Sequence, residues 1–236
     1  MADPGIQVAN YTILLNGTEL SAELTGAIEG VTLEEEINLP AMFTLKFNIV
    51  DFANGNWRGI DLDTFKPGDS VKIKMGMDTP KDMMTGEIAA LDLSFGEHSV
   101  MEIRGFDKLY RLKFGTQRRS FKDMKDSDIA ASLASECGLS AQADDTRTVH
   151  PYLFQNNLSN YDFLLERAKR IGYEMLNDDK TFFFRKSQED KAPATTLEYG
   201  LDLDRLSLQL KMLLEGSEIE IRGWDIKKKS DISGKA

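Results

Sequence analysis

The hexapeptide Glu102-Ile103-Arg104-Gly105-Phe106-Asp107 returns as Glu220-Ile221-Arg222-Gly223-Trp224-Asp225, and the only substitution exchanges one large aromatic side chain for another. The alignment continues without a gap back to Glu97 and Glu215. A strand, a glycine break and an aromatic residue that recur together indicate that one structural unit is used twice. In a symmetric oligomer, such a duplication doubles the apparent rotational symmetry.

The composition predicts an ordinary folded protein. The chain has 236 residues, of which 41% are hydrophobic and 29% are charged, so it can bury the core of one large domain or two small ones. No run approaches the ~18 apolar residues that a membrane span needs. The segment Met1-Ala2-Asp3-Pro4-Gly5 does not resemble a cleavable export signal, and we expect synthesis and folding in the cytoplasm.

Charge and cysteine content bear on the possible ligands. A net charge of −10 argues against direct nucleic-acid binding, since Lys and Arg must neutralise phosphates. Arg118-Arg119 and Lys227-Lys228-Lys229 are predicted to be solvated loop charges, although the lysine run could also meet an acidic partner subunit. Cys137 is the single cysteine, which excludes an intrachain disulfide and a cysteine-built metal site. We predict a packed, inert thiol there.

The first 112 residues have the pattern of a small antiparallel β-structure. Asn16-Gly17 favours a tight hairpin turn, and Met42 to Val50 alternates apolar and polar residues as a half-buried strand does. Pro67-Gly68 supplies a turn before the next strand. Several short strands at regular spacing predict a barrel or a sandwich.

Residues 113 to 190 change to a helical period. One helix is predicted over 128–137. Asp126 or Ser127 is the predicted start at its N-terminal end, and Gly138 is the glycine that stops it. A second helix is predicted to begin after the cap Ser159, and an aromatic hairpin follows it. A polar connector then leads back to strands that are predicted to resume near 203–214.

Several short motifs follow one another in a fixed order along the chain. They are Phe65-Lys66-Pro67-Gly68-Asp69, Gly105-Phe106-Asp107, His150-Pro151-Tyr152-Leu153-Phe154-Gln155 with Asn160-Tyr161-Asp162-Phe163-Leu164, Gly172-Tyr173-Glu174, and Gly223-Trp224-Asp225. In this order and spacing the chain resembles the baseplate hub family. That family includes the phage late-control tail protein, the N-terminal hub region of type VI secretion spike proteins, and the hub of extracellular contractile injection systems.

The resemblance implies an α+β, mainly β fold with two related antiparallel β-barrel units. The first would span 1–112 and the second 191–236, which need not be complete, with a small α/β insertion over 113–190. The resemblance also implies a homotrimer whose six barrels form a pseudo-hexameric ring, so that a sixfold tail tube can meet a threefold spike. Its partners would be the tube protein, a spike or needle protein and other baseplate proteins, assembled in the cytoplasm and then part of a phage tail or injection particle.

The sequence departs from the family in one respect. Family members commonly continue into an oligonucleotide/oligosaccharide-binding-type domain and a β-helical needle, and neither is visible here. We therefore expect that the chain is a fragment or that a separate chain supplies the spike.

No catalytic, cofactor or metal site is predicted. His98 and His150 are isolated, and no nucleophile-elbow pattern accompanies them. Glu34-Glu35-Glu36, predicted on a strand, and Asp144-Asp145, predicted in a loop, are interpreted as surface charge. The leading hypothesis is a structural, non-enzymatic hub. The alternatives are a hub-associated cell-wall hydrolase and an isolated carbohydrate- or protein-binding β-domain.

The repeat supplies the candidate structural positions. They are Arg104, Gly105, Phe106 and Asp107, with the counterparts Arg222, Gly223, Trp224 and Asp225. The arginine and aspartate of each copy are expected to pair across strand ends or between subunits, or to be exposed with little effect on stability. If Trp224 is buried, its replacement by Ala should cost on the order of 3–5 kcal/mol.

Overall fold

The computed structural model describes residues 9–51, 56–57, 64–77, 79–96, 98–201, 203–209 and 220–235. The chain divides into two compact units, Met1–Asp190 and Lys191–Ala236. No helix in the described residues is long and apolar enough to cross a membrane.

The first unit contains a seven-stranded sheet and several short elements. In chain order these are β1 (Ala9–Leu15), β2 (Thr18–Glu19), α1 (Ala22–Gly26), β3 (Ile28–Glu34), β4 (Met42–Asn48), β5 (Val50–Asp51), β6 (Asn56–Trp57), β7 (Ser70–Met77), β8 (Lys81–Ser94) and β9 (Val100–Phe106). The strand order in the large sheet is β2-β1-β7-β8-β9-β4-β3, and every neighbouring pair is antiparallel. Strands β5 and β6 pair with each other, outside the large sheet. In the described residues no ladder joins β2 to β3, so the predicted closed barrel is not confirmed.

Local residue chemistry explains the first strands. Asn16 and Gly17 both have positive φ angles, 49° and 84°, and connect β1 to β2 as the predicted two-residue turn. Strand β4 buries alternate side chains, as its sequence pattern predicts. These side chains join a core whose largest fully buried members are Phe43, Leu45, Phe47, Phe65, Ile73, Met101 and Ile103.

The rest of the first unit has a separate hydrophobic cluster built around two helices. Its elements are the 3-10 helix η1 (Lys108–Lys113), β10 (Gln117–Phe121), β11 (Met124–Lys125), α2 (Asp126–Glu136), β12 (Ser140–Ala143), β13 (Val149–His150), β14 (Leu153–Leu158), α3 (Asn160–Arg170), β15 (Tyr173–Asp178) and β16 (Thr181–Lys186). Strands β15 and β16 form the predicted hairpin, and β12 adds to β16 in parallel. The two clusters do not follow the predicted boundary between 1–112 and 113–190, because Leu109 and Leu112 belong to the second cluster. That domain division stays a prediction.

Both predicted helices are present with their predicted ends. The Oγ of Ser159 accepts a hydrogen bond from the backbone N–H of Asp162 at 3.0 Å and caps α3. Gly138 follows α2 with a φ of 73°, a left-handed conformation that glycine adopts at little cost.

Within the first unit, two parts of the secondary-structure prediction are wrong. β3 ends at Glu34, and Glu35 and Glu36 lie in an exposed loop, so only the first residue of the glutamate run is on a strand. Arg118 and Arg119 lie on β10 and not in a loop, and Arg119 pairs with Glu136 at 2.6 Å.

The second unit is described mainly through one hairpin. Strands β17 (Glu220–Asp225) and β18 (Ser230–Lys235) pair antiparallel, so the second copy of the hexapeptide forms a strand as the first does. The strand predicted near 203–214 is absent from 203–209, apart from an isolated bridge between Tyr199 and Leu203. Residues 210–214 lie outside the described part of the chain.

Candidate functional site

The first copy of the repeat lies on β9, an interior strand of the large sheet. Strand β9 pairs with β8 on one side and with β4 on the other. Gly105 lies directly opposite Phe43, and a Cβ atom at this position would overlap the Phe43 ring and the carbonyl oxygen of Glu87. Glycine is therefore needed here so that the fully buried Phe43 ring can cover the strand.

The repeat arginine does not pair with the repeat aspartate of the same copy. Arg104 forms an ion pair with Asp92 on β8, and its Nε lies 3.6 Å from Glu102. All three side chains are partly exposed, so these contacts contribute little to stability. The predicted pair between Arg104 and Asp107 is absent within the described residues, and pairing between subunits stays a prediction.

Asp107 joins the sheet to the elements that follow it. Only 5% of Asp107 is exposed. Its backbone N–H donates to the Ala41 carbonyl at 2.9 Å, and its Oδ1 accepts from the Leu109 N–H at 3.0 Å, which caps η1. Burial raises the pKa of the Asp107 carboxyl to about 6, against the opposing effect of hydrogen bonds to the backbone of Ala41 and Leu109.

Phe106, the aromatic residue of the first copy, is the first of three aromatic rings that contact one another in sequence. The Phe106 and Tyr110 rings stack with centroids 4.3 Å apart, and Phe114 meets Tyr110 edge-on at 5.0 Å. Phe106 and Tyr110 are half-buried, whereas Phe114 is exposed. A large aromatic is thus needed at position 106 because it carries the contact between β9 and η1.

An open groove with an acidic rim lies beside these rings. Its volume is about 610 Å³, and Phe106 and Tyr110 form part of its wall. We call it the acidic groove; its other lining residues are Leu33, Glu34, Glu35, Glu36, Leu39, Pro40, Met42 and Lys113. The groove therefore combines an apolar wall with three adjacent carboxylates and a single cation, that of Lys113.

The loop that carries Glu35 and Glu36 is fixed by Asn38. Its backbone N–H donates to the Met175 carbonyl at 2.9 Å, and its Oδ1 accepts from the Met175 N–H at 2.8 Å. Tyr161 on α3 donates a hydrogen bond to the Asn38 carbonyl. Asn38 has a φ of 67°, which asparagine tolerates better than most residues. The loop is thus held to β15 and α3.

A buried polar cluster was missed by sequence reasoning. Arg167 on α3 donates to both carboxylate oxygens of Asp126, from Nε at 2.6 Å and from Nη2 at 3.1 Å. The Nε2 of His150 lies 3.0 Å from Asp126 Oδ2 and 3.0 Å from Arg167 Nη2. Burial favours a higher pKa for Asp126, but hydrogen bonds from Arg167 and His150 hold the pKa below its ordinary value. The signal in the sequence was Arg167 itself, a charged residue three positions after the apolar Leu164, a spacing that places both on one helical face.

The second copy of the repeat has a different environment. No described atom lies within 4 Å of a Cβ placed on Gly223, and Trp224 is 59% exposed. Arg222 pairs with Glu220 at 2.9 Å and not with Asp225. A large loss of stability on replacement of Trp224 was expected only if its side chain is buried. Within the described residues Trp224 is not buried.

One role is shared by the two copies. Asp225 Oδ1 accepts from the backbone N–H groups of Lys227 at 2.8 Å and Lys228 at 3.0 Å. Asp107 makes the corresponding contact with Leu109. In both copies, the final aspartate of the hexapeptide fixes the turn that follows the strand.

The polar groups form no recognisable reaction centre in the described part of the chain. There, no group of three or more His, Cys, Asp or Glu side chains could hold a metal ion. His98 is exposed between β8 and β9. Burial raises the pKa of the half-buried Cys137 thiol, which disfavours the reactive thiolate. Asp107 has the raised pKa of a general acid, but its Oδ1 caps η1.

Solved structures of tail proteins share this fold. The 43 kDa tail protein of prophage MuSo2 from Shewanella oneidensis is 15% identical, with a TM-score of 0.63 over 78% of this chain and 55% of its own. The tail protein from Neisseria meningitidis MC58 is 14% identical, with a TM-score of 0.62 over 97% of this chain and 66% of its own. The chain thus spans between about half and two thirds of these proteins.

A secretion-system protein has the same fold. This E. coli component of the type VI secretion system, described as similar to the T4 bacteriophage tail proteins gp27 and gp5, is 11% identical. Its TM-score is 0.54, over 85% of this chain and 56% of its own. The predicted resemblance to phage tail and type VI proteins is confirmed at the level of fold.

Sequence comparison gives one assignment. No curated protein matches the chain significantly. The sequence model of a protein family described as the Alg8 N-terminal domain matches residues 5–236. Because this match covers nearly the whole chain, the protein belongs to the Alg8 N-terminal domain family.

Proposed function

We propose that this chain is a structural, non-enzymatic subunit of the baseplate hub in a contractile tail or injection particle. The observation that carries the proposal is the extent of the shared fold: the likeness to the Neisseria tail protein covers 97% of the chain. The chain would be assembled in the cytoplasm and would then become part of the particle.

The proposed assembly is a homotrimer in which each chain supplies two related barrel units. Six units would then surround one axis, so that the ring could join a sixfold tail tube to a threefold spike. The repeated hexapeptide supports this arrangement, because each copy is a strand whose final aspartate fixes the following turn. The proposed partners are the tube protein, a spike or needle protein and other baseplate proteins.

A structural role is also favoured by the kind of contacts that the chain makes. Among the described residues, the buried Asp107, Asp126 and Arg167 are hydrogen-bonded to other parts of the fold and connect secondary-structure elements. The buried Glu174 does the same through Arg185. The neighbours with this fold are named as tail proteins or as a secretion-system component.

The proposal is tested by mass and symmetry. Native mass spectrometry of the purified chain should give a trimer at high concentration, and electron microscopy of the assembled particle should place the chain in a ring between tube and spike. A chain that stays monomeric, together with a particle whose hub position is filled by another protein, contradicts the proposal. Cell-wall turnover by the purified chain would instead favour a hydrolytic hub.

A further inference from the structure

Three adjacent carboxylates on the first unit have no ion-pair partner among the described residues. Glu34, Glu35 and Glu36 are exposed on the rim of the acidic groove. Other acids of this unit do pair: Asp82 with Lys72, and Glu87 with Arg111. A run of three like charges repels itself, so a cation brought to it would relieve that repulsion.

Apolar side chains accompany these carboxylates. Ile37 and Leu39 are exposed on the loop that carries Glu35 and Glu36, and the wall of the groove is apolar. Asn38 holds the loop to Met175 and Tyr161. A ligand would therefore lose little free energy in ordering this surface.

The second unit carries the complementary charges. Lys227, Lys228 and Lys229 form the turn between β17 and β18, and no ion pair involves them in the described part of the chain. Asp225 fixes the turn through the backbone of the first two lysines. Beside them, Ile226 is 82% exposed. The turn thus presents three cations and an apolar side chain on a defined backbone.

We propose that the lysine turn of one copy of this chain docks on the acidic groove of a second copy. In this contact, Lys227, Lys228 and Lys229 meet Glu34, Glu35 and Glu36, and Ile226 enters the groove beside Leu39. The inference rests on the proposed trimer, whose subunit contact it specifies.

Two arguments identify a second copy as the occupant. The chain has a net charge of −10, so copies repel one another unless a basic surface meets an acidic one. The lysine turn is such a surface, and its matching site lies on the same sequence. A contact between two different patches is heterologous, and heterologous contacts generate closed rings when the rotation closes.

The contact can be tested with exchanged charges. The variant K227E/K228E/K229E and the variant E34K/E35K/E36K should each associate at least about tenfold more weakly than the wild type. The variant that carries all six changes should regain association, because every contact again joins opposite charges. Sedimentation velocity at low salt measures these differences, and higher salt should weaken the wild-type contact.

Mixing distinguishes a contact between copies from one within a chain. When the two triple variants are combined, each presents to the other a surface of opposite charge, so mixed pairs should form in native mass spectrometry while neither variant pairs with itself. The control K122E/K169E/K180E, which makes the same change of charge at exposed lysines elsewhere, should associate as the wild type does.

The failures of the two proposals are distinguishable. A trimeric wild type whose triple variants are equally trimeric overturns this contact and leaves the proposed hub intact. Absence of mixed pairs, or no recovery in the sixfold variant, also overturns it. A wild type that stays monomeric overturns both the contact and the proposed ring.

Discussion

Arg167 holds the buried carboxylate of Asp126 through two hydrogen bonds, from Nε to Oδ1 at 2.6 Å and from Nη2 to Oδ2 at 3.1 Å. The pair connects the first residue of α2 to the last turn of α3. Its charges are almost completely removed from water, so each depends on the other for solvation.

Replacing Arg167 with Ala should destabilise the first unit strongly, because the Asp126 carboxylate would stay buried without its cation. We expect a loss of about 3–5 kcal/mol in the free energy of unfolding, measured by urea denaturation at neutral pH. Arg170→Ala is the matched control on the same helix, since its pair with Glu166 is exposed. That variant should lose less than about 0.5 kcal/mol. Equal effects of the two changes would contradict the argument.

Asp107 should make the protein less stable as the pH rises. Its folded pKa of about 6 lies above the ordinary 3.8, so folding favours the protonated form. Its contribution to the free energy of unfolding is fully present below about pH 4 and is lost as the pH rises to about 6. Above that value the contribution no longer changes with pH. Asp107→Asn keeps an oxygen acceptor for the Leu109 N–H and removes the titration. The free energy of unfolding of the variant, minus that of the wild type, should therefore rise by roughly 2–3 kcal/mol between pH 4 and pH 7.

The check on Asp107 is the difference in unfolding free energy between the two proteins, measured by denaturant titration at several pH values. An unchanged difference across this range would show that Asp107 does not titrate there. The exposed Glu19→Gln change controls for the altered net charge.

The two glycines of the repeat should respond differently to the same change. Gly105→Ala places a methyl group against the Phe43 ring and the Glu87 carbonyl, and should cost about 1–3 kcal/mol or more. Gly223→Ala meets no described atom within 4 Å and should change stability by less than about 1 kcal/mol. Thermal unfolding of the two variants gives the comparison. A smaller loss for Gly105→Ala than for Gly223→Ala would be incompatible with the packing of Phe43.

Replacing the two repeat aromatics, Phe106 and Trp224, should affect the stability of a single chain to different degrees. Phe106→Ala removes the ring that stacks on Tyr110 and should lower stability by about 2–4 kcal/mol. Trp224→Ala removes an exposed ring and should lower the stability of a single chain by less than about 1 kcal/mol. Circular dichroism melts at low protein concentration measure both. A large loss for Trp224→Ala under those conditions would mean that its ring packs within the chain.

The sequence predicted the features that neighbouring residues determine. Asn16-Gly17 has the positive φ angles of a tight turn wherever it occurs between strands, and the Ser159 cap needs only a residue three positions away. The order of strands and helices also follows from local hydrophobic patterns.

The partners of the polar side chains could not be predicted in the same way. The Arg104 side chain reaches Asp92 diagonally across the ladder because β8 and β9 pair in one register, with a bulge that sequence patterns do not reveal. Asn38 and Met175 are far apart in the chain, and their contact depends on how the sheet packs against α3 and β15. Burial of Asp107 and exposure of Trp224 follow from such packing, so equivalent positions in a sequence repeat differ in environment.

Asn38 also has a mechanical consequence. The loop it fixes connects β3 to β4, and β3 is hydrogen-bonded to β4 alone within the described sheet. A force applied to α3 or β15 would therefore travel through Tyr161 and Met175 into the loop, and from there into the edge strand β3 and its neighbour β4. Shear along that path would load the β3–β4 ladder before the central strands.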